Sequence, residues 1–138
     1  GKRVSIVPLS AEALEIVAGL RELRLEEEEY VFPSRDKARA PHMTNMAKAL
    51  SRVRTRTKAP NWTLHDFRTT FRTHAVRAVE DGGLGVAGPI ADAVLGHKEA
   101  SLGFARYTGD KDSYLLHEKR EALRAWGAFV RRVRKASR

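Results

Sequence analysis

The sequence has no cysteine, so it forms no disulfide framework and no thiolate metal site, a pattern that fits a reducing compartment. No apolar run approaches the roughly 18 residues that a membrane-spanning helix needs, and no signal-peptide pattern opens the chain. Repeats and low-complexity stretches are also missing, which excludes solenoids and fibrous classes. What is present is ordinary for a globular fold: 42% hydrophobic and 31% charged residues in a chain of 138, one domain's worth.

The charge is one-sided. Twenty-six Lys and Arg face 17 Asp and Glu, a net charge of +9, and the pI is about 10.4. A basic domain of this size favours a polyanionic partner, because neutralising phosphates releases condensed counterions. A protein that is simply basic shows the same balance, so charge alone says nothing of chemistry.

Patterning predicts a mostly α domain with a small β element at its start. Lys2 to Leu9 alternates as a short strand that Pro8 ends. Ser10 then serves as N-cap of a helix with Ala13, Ile16, Val17, Leu20 and Leu23 on one face. After an acidic run, Tyr30 to Ser34 reads as an extended piece entering a turn. A second helix is expected over about His42 to Arg54. Thr63-Leu64-His65-Asp66 is a capping box. The helix it starts carries Leu64, Phe67, Phe71, Ala75 and Ala78 on its buried face, with the glycines after Asp81 as its stop. A short helix follows to about Leu95, with Gly96 at its C-cap. The last helix is expected from near Lys111, with Ala122, Leu123, Trp126, Phe129, Val130 and Val133 at helical spacing and a basic end.

His65 and Arg68 lie one turn apart on the third helix, opposite the Phe67/Phe71 stripe and near an N-terminus whose dipole favours anions. A guanidinium grips two phosphate oxygens at once, and an imidazole beside it can donate a hydrogen bond or move a proton. Alone, such a pair is most often a solvated surface pair. His97 follows Gly96 on a turn. Tyr107, ten residues later, is by default a packing residue with its hydroxyl satisfied.

In order and combination these residues say more. Leu64-His65-Asp66-Phe67-Arg68-Thr69-Thr70-Phe71, then Leu95-Gly96-His97-Lys98, then Ala105-Arg106-Tyr107 resembles the signature of the tyrosine recombinases, the phage-integrase family. Val7-Pro8-Leu9-Ser10, Val31-Phe32-Pro33, Thr73-His74-Ala75 and Glu118-Lys119-Arg120 before Ala122-Leu123 agree, so the resemblance spans the chain. It implies the C-terminal part of the recombinase catalytic fold. Tyr107 would be the nucleophile that forms a 3′-phosphotyrosyl link to DNA. Arg68 would clamp the scissile phosphate, His65 would assist proton movement and His97 would hydrogen-bond a non-bridging oxygen. Arg72, Lys98 and Arg106 would add DNA contacts.

The implied partner is double-stranded DNA, with self-association of protomers on it; no membrane and no small-molecule substrate are expected. The link conserves the energy of the broken bond, so no cofactor and no metal are expected. A bacterial or phage-encoded protein of the cytoplasm is implied. The family also has an upstream arginine, which has no counterpart here, and a lysine general acid, for which Lys2 is the only candidate. The expectation is therefore a partial catalytic domain, lacking the upstream half and an N-terminal DNA-binding domain, with little activity of its own. The resemblance leaves two other readings: a non-catalytic DNA-binding module of the same fold, and a type IB topoisomerase.

Overall fold

The computed structural model describes residues 6–22, 29–34, 38, 40–44, 46–59, 61–97 and 115–137. Among these residues there are five helices: α1 (Ala11–Glu22), α2 (Met46–Thr57), α3 (Leu64–Val76), α4 (Gly88–Val94) and α5 (Leu116–Ala136). The fold is α-rich. The only β pairing among the described residues is an isolated antiparallel bridge between Pro33 and His42. Ile6 to Leu9, expected at the end of a strand, has no ladder partner there, and Lys2 to Ser5 lie outside the described residues. The chain divides into two compact units, residues 1–15 with 67–138, and residues 16–66.

The first unit holds the core. Phe71 and Ala75 from α3 and Ala91 from α4 are buried, and Val86, Val94, Leu95, Leu123 and Trp126 pack against them. Trp126 meets Phe71 edge-to-face with centroids 5.3 Å apart and stacks on Phe129, also at 5.3 Å. Edge-to-face geometry sets the positive rim of one ring against the negative face of the other. The aromatic stripe of α5 thus packs in cis.

At the start of this unit, Ser10 caps α1 as expected: its hydroxyl accepts the Ala13 N–H at 3.3 Å. Gly127 lets this cap approach α5. A Cβ there would sit 2.1 Å from Glu12 Oε2 and 2.8 Å from Ser10 Oγ. Arg131 of α5 adds contacts to Glu12 at 3.1 Å and Glu15 at 3.3 Å. The Glu12 carboxyl is held below the usual range, first by its own backbone N–H and then by Ser10 and Arg131. Lys119, only 7% exposed, donates from Nζ to the Ile6 carbonyl at 3.1 Å, so its buried charge is not left without an acceptor.

Helix α3 ends at Val76, five residues before Asp81, where the glycines were expected to stop it. The chain folds back and supplies other donors to its last carbonyls: Leu84 N–H to His74 O at 2.9 Å and Val86 N–H to Ala75 O at 2.7 Å. Gly83 makes the return possible, because a Cβ would lie 2.2 Å from the Arg77 carbonyl oxygen. The last helix begins at Leu116 rather than near Lys111. Leu115 has φ +55, a left-handed conformation that no helix continues through.

The second unit has few buried groups. No residue of α1 or α2 is buried, and Ile16, expected on a covered face, is 68% exposed. Leu23 of that stripe lies outside the described residues. Helix α2 starts at Met46 instead of about His42, because His42 pairs with Pro33 and the next residue, Met43, gives its N–H to the Phe32 carbonyl at 2.8 Å. Arg54 folds its guanidinium back onto the Trp62 carbonyl and over the Trp62 ring. The capping box at the α3 start forms with its roles shifted. Asp66 Oδ2 accepts both the Thr63 N–H at 2.7 Å and the Thr63 hydroxyl at 3.1 Å, while Asp66 N–H goes to the Thr63 carbonyl at 3.2 Å.

Candidate active site on α3 and the turn after α4

His65 and Arg68 both lie on α3, three residues apart, and both are exposed. Phe67 between them, expected in the core, is 58% exposed, while Phe71 one turn on is 5% exposed. Among the described residues the apolar stripe of this helix is buried only in its second half. His65 makes no hydrogen bond or ion pair among the described residues.

His97 is placed by a complete Schellman motif. Gly96, at φ +67, donates to the Ala93 carbonyl at 3.2 Å, and His97 N–H donates to the Asp92 carbonyl at 3.0 Å. Glycine is needed at residue 96 because a left-handed residue must follow the helix. The histidine is then the next residue, fixed at its backbone rather than trailing from a loose loop.

Arg68 reaches this same turn: its guanidinium donates to the Leu95 carbonyl, 27 residues away. A cation at the C-terminal carbonyls of α4 also complements the helix dipole. One turn further along α3, Arg72 Nε donates to Asp92 Oδ1 at 2.8 Å and its Nη2 to Oδ2 at 3.4 Å. Asp92 Oδ1 lies 3.4 Å from His97 Nδ1 as well. The two motif segments are thus brought together: Arg68 holds the backbone of the Leu95-Gly96-His97 turn, and Arg72 shares a carboxylate with His97. Hydrogen bonding to Arg72, reinforced by its charge and by His97, pulls the Asp92 carboxyl below the usual range. The same hydrogen bond raises Arg72. Arg72, expected at DNA, sets its guanidinium fork on Asp92 while its side chain stays about half exposed, at 48%.

Lys98, Arg106 and Tyr107 lie outside the described residues, as does Lys2. Among the described residues there is no group of three or more His, Cys, Asp or Glu that could hold a metal, and no helix long and apolar enough to cross a membrane.

Sequence reasoning passed over Asp92. A signal was there: a carboxylate in the last turn of a helix faces the negative end of the dipole, and needs cationic partners to be tolerated. It also passed over α2, which contains Lys48, Arg52, Arg54 and Arg56 and no acidic residue. Lys48, Arg52 and Arg56 follow one another at i, i+4 spacing, so they share a face. All three are exposed, and none makes an ion pair among the described residues. Compared with known proteins, the chain matches no family model, no curated protein and no solved structure.

Proposed function

We propose that this chain is part of the catalytic domain of a tyrosine recombinase, which cuts and rejoins double-stranded DNA through a 3′-phosphotyrosyl link. The observation that carries the reading is the meeting of Arg68 with the Leu95-Gly96-His97 turn. Two motif segments that the chain separates by 27 residues lie side by side, as a shared phosphate would require. The exposed cations of α2 support DNA as the partner.

In this reaction the Tyr107 oxygen attacks the scissile phosphorus and gives up its proton, with His65 assisting that transfer. A new O–P bond forms as the bond to the 5′ oxygen breaks. The leaving oxygen takes a proton from a general acid, for which Lys2 is the candidate within this sequence. Charge grows on the equatorial oxygens of the phosphate, where Arg68 and His97 donate hydrogen bonds. A 5′-hydroxyl of another strand then reverses the step. Protomers assemble on DNA so that paired strands can exchange.

The test uses a form extended upstream through the expected first arginine, with DNA whose scissile 5′ oxygen is replaced by sulfur. A thiolate leaves without a proton, so cleavage no longer depends on the general acid. The expected result is accumulation of a protein–DNA adduct, reduced by roughly 100-fold or more in Arg68→Ala, as removal of a transition-state donor entails. Specific DNA binding with no adduct at all would favour a non-catalytic DNA-binding module, for which the α2 face alone suffices.

A further inference from the structure

We propose that Asp92 is a positioning residue of this site, holding His97 by its Nδ1 so that Nε2 is the nitrogen presented to a DNA phosphate. The catalytic consequence rests on the recombinase reading; the hold itself does not.

Asp92 grips its neighbour twice. Its backbone carbonyl accepts the His97 N–H at 3.0 Å, and its Oδ1 lies 3.4 Å from the imidazole Nδ1. A carboxylate oxygen only accepts, so this contact favours the proton on Nδ1. Nε2 then has no partner among the described residues. With the ring protonated on both nitrogens, Nδ1–H stays with Asp92 and Nε2–H is directed to an incoming oxygen. A histidine held at one nitrogen by a carboxylate has its tautomer and ring orientation set before any ligand arrives.

Asp92 is itself braced. Arg72 supplies two donors from α3, at 2.8 and 3.4 Å, one to each carboxylate oxygen. The planar guanidinium matches a carboxylate in two-point contact, which fixes rotation as well as distance. Arg68 fastens the intervening turn by the Leu95 carbonyl. Among the described residues the charged groups facing the carboxylate are Arg72 from α3 and His97 from the turn, and they account for its lowered proton affinity. Arg72 acts on His97 through Asp92.

The experiment reads the imidazole directly. Nitrogen-15 NMR of His97, taken where the ring is neutral, is expected to show the Nδ1–H tautomer in the wild-type chain. Asp92→Ala should return it to the Nε2–H tautomer that free histidine prefers. Asp92→Asn, which keeps the shape and loses the charge, should lose the Nδ1–H preference too. In single-turnover cleavage of the sulfur-substituted DNA, both variants are expected to be slower by about 10- to 100-fold, the order of effect of misplacing a reacting group. DNA affinity should change much less, and Asp92→Glu should recover part of the rate. An unchanged His97 tautomer in Asp92→Ala would overturn the proposal. So would a rate loss matched by an equal loss of affinity. Wild-type protein that forms no adduct would count against the recombinase reading alone, because the tautomer still decides the role of Asp92.

Discussion

Helices α3 to α5 and helix α2 obey different physics. The first three share a core in which Phe71, Ala75 and Ala91 are buried beneath Trp126 and Leu123. Helix α2 buries nothing and carries four cations with no carboxylate. It is held by local contacts, among them Arg54 to the Trp62 carbonyl and the Thr55 and Thr57 hydroxyls to carbonyls one turn back. Apolar burial is the main favourable term in folding, so the α3–α5 core should set stability. The exposed cations of α2 cost little to change in that respect, and should act on a partner instead.

The contrast is broken most readily at Phe71. Phe71→Ala removes a buried ring and its contact with Trp126, and is expected to destabilise by about 3–5 kcal/mol. That is a large share of a small domain's stability, so the variant should be unfolded or nearly so. Val53→Ala on α2 should shift the urea midpoint, followed by circular dichroism, far less. Equal losses at the two sites would mean that α2 is packed as tightly as the core.

A smaller effect is expected at the α3 cap. Thr63→Ala deletes the hydroxyl that donates to Asp66, an exposed hydrogen bond, and should cost about 0.5 kcal/mol in the same titration. Smaller again is the pH effect at Asp92, whose carboxyl is held below its usual range by Arg72 and then His97. The folded state therefore binds this proton less readily than the unfolded chain does. The stability it contributes is present above the ordinary aspartate pKa and is lost as pH falls through the lowered one. Urea midpoints of wild type and Asp92→Asn should differ above that range and converge below it. The pair is partly exposed, so salt should shrink the difference.

The smallest stability change is expected on α2, where replacing Lys48, Arg52 and Arg56 together by Gln should leave the urea midpoint nearly unmoved. The same variant sharpens the comparison on the DNA side. If all three contact phosphates, the slope of log binding constant against log salt should become shallower by about 2.7. An unchanged slope would make this face a solvated surface and nothing more.

The sequence made the local punctuation legible. Ser10, the Thr63–Asp66 pair and Gly96 all end or begin helices where their chemistry says they should, because caps depend on neighbours within a few residues. What it concealed depends on distant parts of the chain. Periodicity marked Ile16 and Phe67 as apolar faces, but could not say that both would be more than half exposed. The early end of α3 follows from Leu84 and Val86 returning to its carbonyls. The α2 start is delayed by a bridge to Pro33, and Asp92 meets Arg72 across 20 residues. Arg68 and His97 were singled out by the resemblance that their motifs carry. Their shared turn was not, since a hydrogen bond to Leu95 has no sequence signature.

On the proposed reading, Tyr107 joins this chain to DNA. The direct test is covalent capture on nicked substrates taken from the DNA ends that the proposed recombinase would act on, using the chain and a form extended upstream through the expected first arginine. An adduct that survives denaturation, maps to Tyr107 by peptide mass and vanishes in Tyr107→Phe is the predicted result for the extended form. Specific DNA binding with no adduct, or an adduct that persists in Tyr107→Phe, would contradict it.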